Sequence, residues 1–222
     1  MKPKLIAIDG PVAAGKSSVG LLLAERLGYL FFDTGIMYRA FTGKAIKLGI
    51  PLEDPDKLSR LAGATRFDFV PNNKRCFSLL IDSDDVSAEL NRPGVNEEVA
   101  IVAKVAGVRR AMVAAQRMVA QRGKIIMAGR DIGTVVLPQA ELKVFLTASL
   151  EQRALRRYKE LSQKGGKINY DLVLAGLKKR DEADFTRSIS PLKPASDAMV
   201  IDTENLTLEQ VVDKIYTLAV KQ

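Results

Sequence analysis

Histidine and tryptophan are both absent from the 222 residues. Without an imidazole there is no His-based catalytic triad, no His-ligated zinc and no imidazole general base. Any chemistry must run on carboxylates, hydroxyls, lysine, arginine, backbone dipoles or a bound cofactor. The single cysteine, Cys76, has no partner for an internal bridge and reads as a small strand or core residue of a chain suited to a reducing compartment. Long apolar runs are missing too. After Met1-Lys2-Pro3-Lys4 the run Leu5-Ile6-Ala7-Ile8 is cut by Asp9, too soon for a secretory signal, and no stretch approaches the about 18 apolar residues of a membrane helix. The expectation is a cytoplasmic protein with no membrane-spanning segment.

What is present is an ordinary globular mix, 47% hydrophobic and 27% charged, which excludes disorder, collagen and disulfide scaffolds. The length suits one compact domain with a small insertion. Against 26 acidic residues stand 34 basic ones, a formal charge of +8. That excess predicts an anionic partner, but a nucleotide, a nucleic acid and an anionic membrane all qualify.

Strand and helix patterns alternate, which predicts an α/β protein with a parallel sheet. Leu5 to Ile8 reads as a strand, and from Ser17 a helix places Val19, Leu22, Leu23 and Leu27 on one face before Gly28. Tyr29 to Phe32 is the second strand. A helix from Met37 to Leu48 buries Ala40, Phe41, Ala45 and Leu48. The middle differs: Arg66 to Val70 alternates, Pro71-Asn72-Asn73-Lys74 is a turn cluster, and Cys76 to Ile81 is a partnering strand. A long helical region follows, with Val99, Val102, Ala103 and Ala106 in 3.6 periodicity. Ile125 to Ala128, Leu142 to Ala148 and Ala198 to Asp202 complete the strands. The charged tract Glu151 to Lys179 is divided by Gly165-Gly166, and Thr207 with Gln210 starts the last helix.

The sharpest motif is Gly10-Pro11-Val12-Ala13-Ala14-Gly15-Lys16-Ser17, a G-x-x-x-x-G-K-[ST] loop lying between a strand and a helix. Its glycines let successive N–H groups turn inward to cradle phosphate oxygens, and the helix start adds its positive dipole end. Lys16 would place its ammonium on the terminal phosphates and Ser17 would hold Mg²⁺. Such a loop indicates nucleoside triphosphate binding, not its use. The Asn-Lys-x-Asp motif of GTPases is missing, since Asn73-Lys74 runs into Arg75-Cys76. An ATPase strand ending in Asp-Glu is missing as well, since Ile125 to Ala128 leads to Gly129-Arg130-Asp131. That tripeptide suits a second phosphorylated molecule, the arginine for phosphate and the aspartate for its base or sugar. Arginines recur after successive strands: Arg39 in Asp33-Thr34-Gly35-Ile36-Met37-Tyr38-Arg39, the trio Arg153, Arg156 and Arg157 on one helix face, and Arg180 and Arg187 ahead of the last strand.

These motifs resemble those of the bacterial cytidylate kinases, over nearly the whole chain. The similarity rests on Ile8-Asp9-Gly10-Pro11 with Gly15-Lys16-Ser17-Ser18, on Asp33-Thr34-Gly35 with Tyr38-Arg39, and on Gly129 to Val136. It continues through Lys179-Arg180-Asp181 with Asp184 and Arg187, then Asp197-Ala198. The tract around Gly129-Arg130-Asp131 is the most specific part. The resemblance implies a P-loop three-layer fold with a central parallel β-sheet, a β-rich nucleotide-binding insertion at 62–97 and a short lid at 153–165. The core would be 1–61, 98–152 and 166–222. It implies ATP bound by Gly10 to Ser18, with Lys16, Arg130 and the lid arginines Arg153 and Arg157 serving catalysis. It implies an acceptor phosphate held by Arg39, Arg130 and Arg187, Thr34 and Tyr38 close to the acceptor, and its sugar at Arg180 and Asp184. Cytosine would be read by Arg109 and Asp131. Where the family commonly has a serine against the base, Ala100 stands here, with Asn96 and Lys104 nearby in sequence.

The activity so implied is transfer of the γ-phosphate of ATP to CMP or dCMP with Mg²⁺, by a cytoplasmic monomer acting on free nucleotides rather than nucleic acid. A kinase of the same fold acting on UMP or another monophosphate is the alternative. An ATP-switched RNA-binding regulator is the remote one, disfavoured by 6% aromatics.

Overall fold

The computed structural model describes residues 2–72, 75–86, 90, 94–163 and 168–221. Five parallel strands form the central sheet in the order β2-β6-β1-β7-β8. They are β1 (Leu5–Asp9), β2 (Leu30–Asp33), β6 (Ile125–Gly129), β7 (Leu142–Thr147) and β8 (Met199–Asp202). Around them lie α1 (Lys16–Leu27), α2 (Thr34–Lys47), α3 (Pro55–Ala64), α4 (Val95–Val102), α5 (Ala106–Ala120), α6 (Leu150–Gln163), α7 (Tyr170–Thr186) and α8 (Leu208–Lys221). A separate antiparallel sheet of β3 (Phe67–Pro71), β4 (Phe77–Ile81) and β5 (Asp84–Asp85) is the insertion.

The strands are apolar on both faces because both faces are covered. Alternate residues supply two cores. Ala7, Phe32, Ile125 and Met127 pack with α2, α3 and α5, while Ile6, Ile8, Phe31, Ile126 and Ala128 pack with α1 and α8. This gives three layers, helix, sheet and helix. The chain goes one way from β1 to β2 and crosses β1 the other way from β6 to β7. The carboxyl ends of β1, β2, β6 and β7 therefore meet around a point where the winding reverses, the place where open α/β sheets bind ligands.

Local chemistry sets the ends of these elements. Gly28 closes α1 in the left-handed region, with φ 74°. Thr207 and Gln210 exchange the two hydrogen bonds of a capping box at α8, as the sequence predicts. Helix α2 starts at Thr34 rather than Met37, since the Asp33 side chain accepts from Gly35 N and caps it. Leu48, expected in the core, is 56% exposed just past its end. The helical region after residue 94 is two helices instead of one, α4 and α5, separated at 103–105. Helix α3 was not predicted. Its signal is Asp54-Pro55, a side-chain cap on Lys57 N followed by proline in the first turn, with Leu58 and Ala62 buried.

The insertion is anchored on the edge strand of the main sheet. Phe31 N donates to Arg75 O at 2.7 Å, and Phe32, Phe69 and Phe77 meet edge to face with centroids 5.1 to 6.5 Å apart. The expected lid begins as an unbroken continuation of α6. Gly165 and Gly166, like Asn73 and Lys74 of the expected turn, lie outside the described residues. Among the described residues, no helix is long and apolar enough to cross a membrane.

One helix–sheet contact yields a test. A Cβ at Gly20, in the middle of α1, would fall 2.2 Å from the Phe31 ring. Exchanging an exposed helical glycine for alanine normally adds about 1 kcal/mol of stability. Gly20→Ala should instead cost about 1–3 kcal/mol through overpacking, read as a lower urea midpoint at unchanged slope.

Candidate active site

The first wall of the site grows out of β1. Gly10 has φ 149°, and a Cβ there would meet Leu146 O of β7 at 2.2 Å, so the chain turns against β7 only as glycine. Ala13 (φ 58°) and Gly15 (φ 91°) also take left-handed backbone, which curls the loop before α1 begins at Lys16. The Lys16 ammonium is buried and donates to Pro11 O at 2.6 Å. Burial first, and then the charge of Arg130, holds it well below the usual lysine range, against the opposing pull of Asp33, Asp9 and Asp184. The Ser17 hydroxyl donates to Asp33 Oδ2 at 2.7 Å, linking the loop to the end of β2. Ser18 is exposed.

The second wall is built from the ends of β2 and β6. Thr34 is buried and donates to Ala128 O at 2.9 Å, and a Cβ at Gly129 would strike its hydroxyl at 2.7 Å. After Gly129 come Arg130 and Asp131, then a single π-helical turn over Ile132–Val136. Arg130 Nε donates to Asp184 Oδ2 at 2.8 Å. Asp131 makes a fully buried ion pair with Arg109 of α5, whose Nη1 also donates to Ala103 O at 3.2 Å. The Arg109 guanidinium faces the Tyr38 ring at 5.8 Å, and burial pushes the Tyr38 hydroxyl up to about 12.

The third wall is α7. Arg187, at its carboxyl end, stands 3.7 Å from Asp184 and 3.9 Å from Asp131. Burial, then the neighbouring Arg109 charge, lowers its pKa. Arg180 is pulled down to about 10 by burial, then by Arg130, with Arg39 and Arg157 adding to the repulsion. Among the described residues, neither Arg39 nor Arg180 has a carboxylate within ion-pair distance. Arg109 Nε and Arg187 Nη2 are buried donors without a hydrogen-bond partner. More cationic charge thus converges here than the local carboxylates neutralise.

The structure brings together Thr34, Tyr38, Arg109, Arg130, Asp131, Arg180, Asp184 and Arg187, with Arg39 adjoining them. The two lid arginines have their own partners, although Arg157 is near enough to add to the repulsion on Arg180. Arg153 is buried, donating to Ala148 O at 3.0 Å and to Val12 O of the loop at 3.2 Å, and pairing with Asp181 at 2.6 Å. Arg157 pairs with Glu160 on its own helix at 2.7 Å. Arg156, expected on the same face, instead ties α6 to Thr203 through its hydroxyl at 2.9 Å and its carbonyl at 2.5 Å. Three neighbours that the sequence shows only as parts of motifs, with no role of their own, hold the site: Asp33, which holds Ser17; Asp181, which holds Arg153; and Asp9. The Asp9 carboxylate accepts from Ile132 N at 2.8 Å and Gly133 N at 2.7 Å. Its signal was plain, a charged residue ending an apolar strand directly before Gly10.

A concavity of about 440 Å³ between α3, β3 and α5, lined by Ala62, Arg66, Phe67, Ala115 and Met118, carries none of this cationic chemistry. The cationic residues lie instead at the carboxyl edge of the main sheet.

A parallel sheet whose first strand opens into a lysine-bearing glycine loop, faced by arginines from neighbouring elements, is the arrangement of a P-loop kinase. Shikimate kinase from Bacteroides thetaiotaomicron has the same fold, with a TM-score of 0.51 at 13% identity, covering 99% of each chain. The sequence narrows the class. The family profile described as cytidylate kinase matches residues 6–221. The cytidylate kinase of Caldanaerobacter subterraneus subsp. tengcongensis is 46% identical over 211 residues, 95% of this chain and 92% of the relative. That of Bacillus licheniformis is 43% identical over 223 residues, 100% of this chain and 99% of the relative. The chain belongs to the cytidylate kinase family, phosphotransferases that use ATP. The resemblance read from the motifs is borne out, and so is the P-loop α/β class.

Asp9 gives the site a pH signature. Burial raises its pKa from 3.8 to about 6, although the two N–H bonds oppose the shift. Because the folded value lies above the unfolded one, the ionised carboxylate costs stability above pH 6. That cost is on the order of 3 kcal/mol and is relieved as pH falls from 6 towards 4. Asp9→Asn cannot ionise. Its stability relative to the parent should therefore be about 1–2 kcal/mol more favourable at pH 8 than at pH 5, measured by urea unfolding at both. A difference independent of pH would contradict the burial of this charge.

Proposed function

We propose that the chain transfers the γ-phosphate of ATP to CMP or dCMP, giving ADP and CDP or dCDP. The observation that carries this reading is the convergence of two cationic sets at one sheet edge: Lys16 in the loop after β1, and Arg130 and Arg187 with Arg39 opposite it, Arg180 standing beside them for the sugar. One set suits a triphosphate and the other a monophosphate, and the buried Arg109–Asp131 pair beside Tyr38 supplies a donor and an acceptor for a base edge.

In this reading a phosphate oxygen of the acceptor attacks the γ-phosphorus in line. The bond to the bridging β,γ oxygen breaks and ADP leaves with that oxygen. Lys16 exchanges Pro11 O for phosphate oxygens, and Arg130 steadies the attacking group. No covalent intermediate and no imidazole are needed. Catalysis is positioning plus neutralisation of charge on the transferring group. Arg153 shapes the loop through Val12 O, and Arg157 reaches the triphosphate when the lid 153–165 and the insertion 62–97 close over the ligands and exclude water. Among the described residues no cluster of three or more acidic, histidine or cysteine side chains stands ready for a metal. The hard oxygen donors that fit Mg²⁺ are the Ser17 hydroxyl, set by Asp33, and the oxygens of the nucleotide itself. When bound, the ion would neutralise phosphate charge. A cytoplasmic monomer acting on free nucleotides, apart from nucleic acid and membrane, belongs to the same proposal.

A steady-state panel of CMP, dCMP, UMP, AMP and dTMP with ATP and Mg²⁺, read by coupled ADP detection, tests the substrate. CMP and dCMP should lead by about tenfold or more in kcat/KM. Equal use of UMP would move the reading to a general pyrimidine monophosphate kinase, consistent with Ala100 offering no hydroxyl. Lys16→Ala should lower kcat by on the order of a thousandfold with the fold intact by circular dichroism. Unchanged turnover would end the proposal.

A further inference from the structure

We propose that Asp9 is a positioning residue for the acceptor side of the reaction: its carboxylate ties the turn that follows Arg130 and Asp131 to the strand that carries the ATP-binding loop. The inference rests on the cytidylate kinase reading and adds a residue to which no role had been given.

Asp9 is the last residue of β1, directly before Gly10, and its register partner on β6 is Gly129. Two stretches of different duty thus leave the sheet side by side. One is Gly10 to Ser17, for the donor; the other is Arg130-Asp131, for the acceptor. The Asp9 side chain is the bond between them. It is 4% exposed, and both oxygens go to consecutive backbone N–H groups, those of Ile132 and Gly133. Only an ionised carboxylate offers two acceptors and no donor in that space, since an amide would turn an N–H against one of the two. No cation lies within ion-pair distance of Asp9 among the described residues. Burying an anion on neutral donors is a costly way to close a turn, and stability alone does not account for it.

The turn itself is held at every side. It closes through wide bonds, Val136 N to Asp131 O at 3.1 Å and Leu137 N to Ile132 O at 2.7 Å, the π-helical form that recurs at functional positions. Its far end is pinned by Arg117, whose Nε and Nη2 donate to Val136 O and Val135 O at 2.9 and 2.8 Å. Its middle has no slack. A Cβ on Gly133 would come 3.4 Å from Asp9 Oδ2 and 3.2 Å from the Lys143 stem. Lys143 is fixed in turn by Pro138 O at 2.6 Å and Asp197 at 2.7 Å. With the rest of the turn immobilised, what Asp9 sets is the start of the turn, and hence the direction in which Arg130 and Asp131 leave β6.

Asp9→Asn is nearly isosteric and tests this directly. The KM for CMP should rise by about tenfold or more, while the Kd for ATP, measured calorimetrically, stays within about twofold and the Tm within a few degrees. The decisive comparison is a double-mutant cycle with Arg130→Ala. If Asp9 acts by setting Arg130 and Asp131, adding Asp9→Asn to Arg130→Ala should lower kcat/KM for CMP by at least about threefold less than it lowers that of the parent, the remaining effect being the share carried by Asp131. A merely structural role would lower Tm and leave the cycle additive. Multiplying effects, an unaltered CMP KM, or equal damage to ATP and CMP binding would each overturn the proposal. Should Asp9→Asn fail to fold, Arg117→Ala loosens the far end of the same turn and carries the same prediction. An unaltered CMP KM there overturns it. The parent enzyme in the same assay keeps the two ideas apart. No activity on CMP overturns the family reading of the substrate, whereas an active parent with an additive cycle overturns only the role of Asp9.

Discussion

Like charges repel, and this chain brings Lys16, Arg109, Arg130, Arg180 and Arg187 to one edge of one sheet. At an effective dielectric near 20, two unit charges about 5 Å apart repel by about 3 kcal/mol. Two carboxylates answer part of that repulsion. Asp131 lies between Arg109 and Arg187, and Asp184 between Arg130 and Arg187. Burial first, and then the neighbouring cations, lower the pKa values of Lys16, Arg180 and Arg187, and Arg109 and Arg187 keep unpartnered donors. In the proposed function an acceptor phosphate is the counterion that completes the set.

Only a stiff frame keeps the cations converged. The frame is the parallel sheet, apolar on both faces and clamped between α1 with α8 on one side and α2, α3 and α5 on the other. Helix α7 then distributes the charge. Asp181 and Asp184, three residues apart and so on one face, reach in different directions, Asp181 to Arg153 of α6 and Asp184 to Arg130 after β6. One helix thereby links the arginine that touches the loop after β1 to the arginine that follows β6. Movement of α6 and α7 on ligand binding would be felt in both places, which suits a transfer that must wait for two substrates.

Much of this was legible in the sequence, and the reasons are specific. The strands could be found because buried parallel strands are continuous apolar runs, and the loop after β1 because glycine and lysine at that spacing have one physical use. Arg39, Arg180 and Arg187 stood out because arginines recur after strand ends, whereas Thr34, Tyr38, Arg109 and Asp184 came only from the family resemblance. What escaped was held by tertiary contacts. Helix α2 begins three residues early because the Asp33 side chain caps it, and the single helix expected after residue 94 breaks at 103–105. Arg153 could not be told from Arg157 by spacing. The fold buries the first against Asp181 and Val12 O and leaves the second half-exposed. Asp9 was read as punctuation at a strand end, because nothing in a linear sequence places Ile132 and Gly133, more than a hundred residues on, within reach of its oxygens.

In the proposed function an acceptor phosphate sits among Arg39, Arg130 and Arg187, and everything else about the acceptor follows from that contact. Calorimetric titration of the enzyme with CMP and, separately, with cytidine isolates that phosphate. CMP should bind at least about a hundredfold more tightly, since the phosphate would gain several charge-assisted hydrogen bonds. Equal affinity for the two would mean that the cluster does not hold the acceptor phosphate, and the functional reading of the site would fall with it.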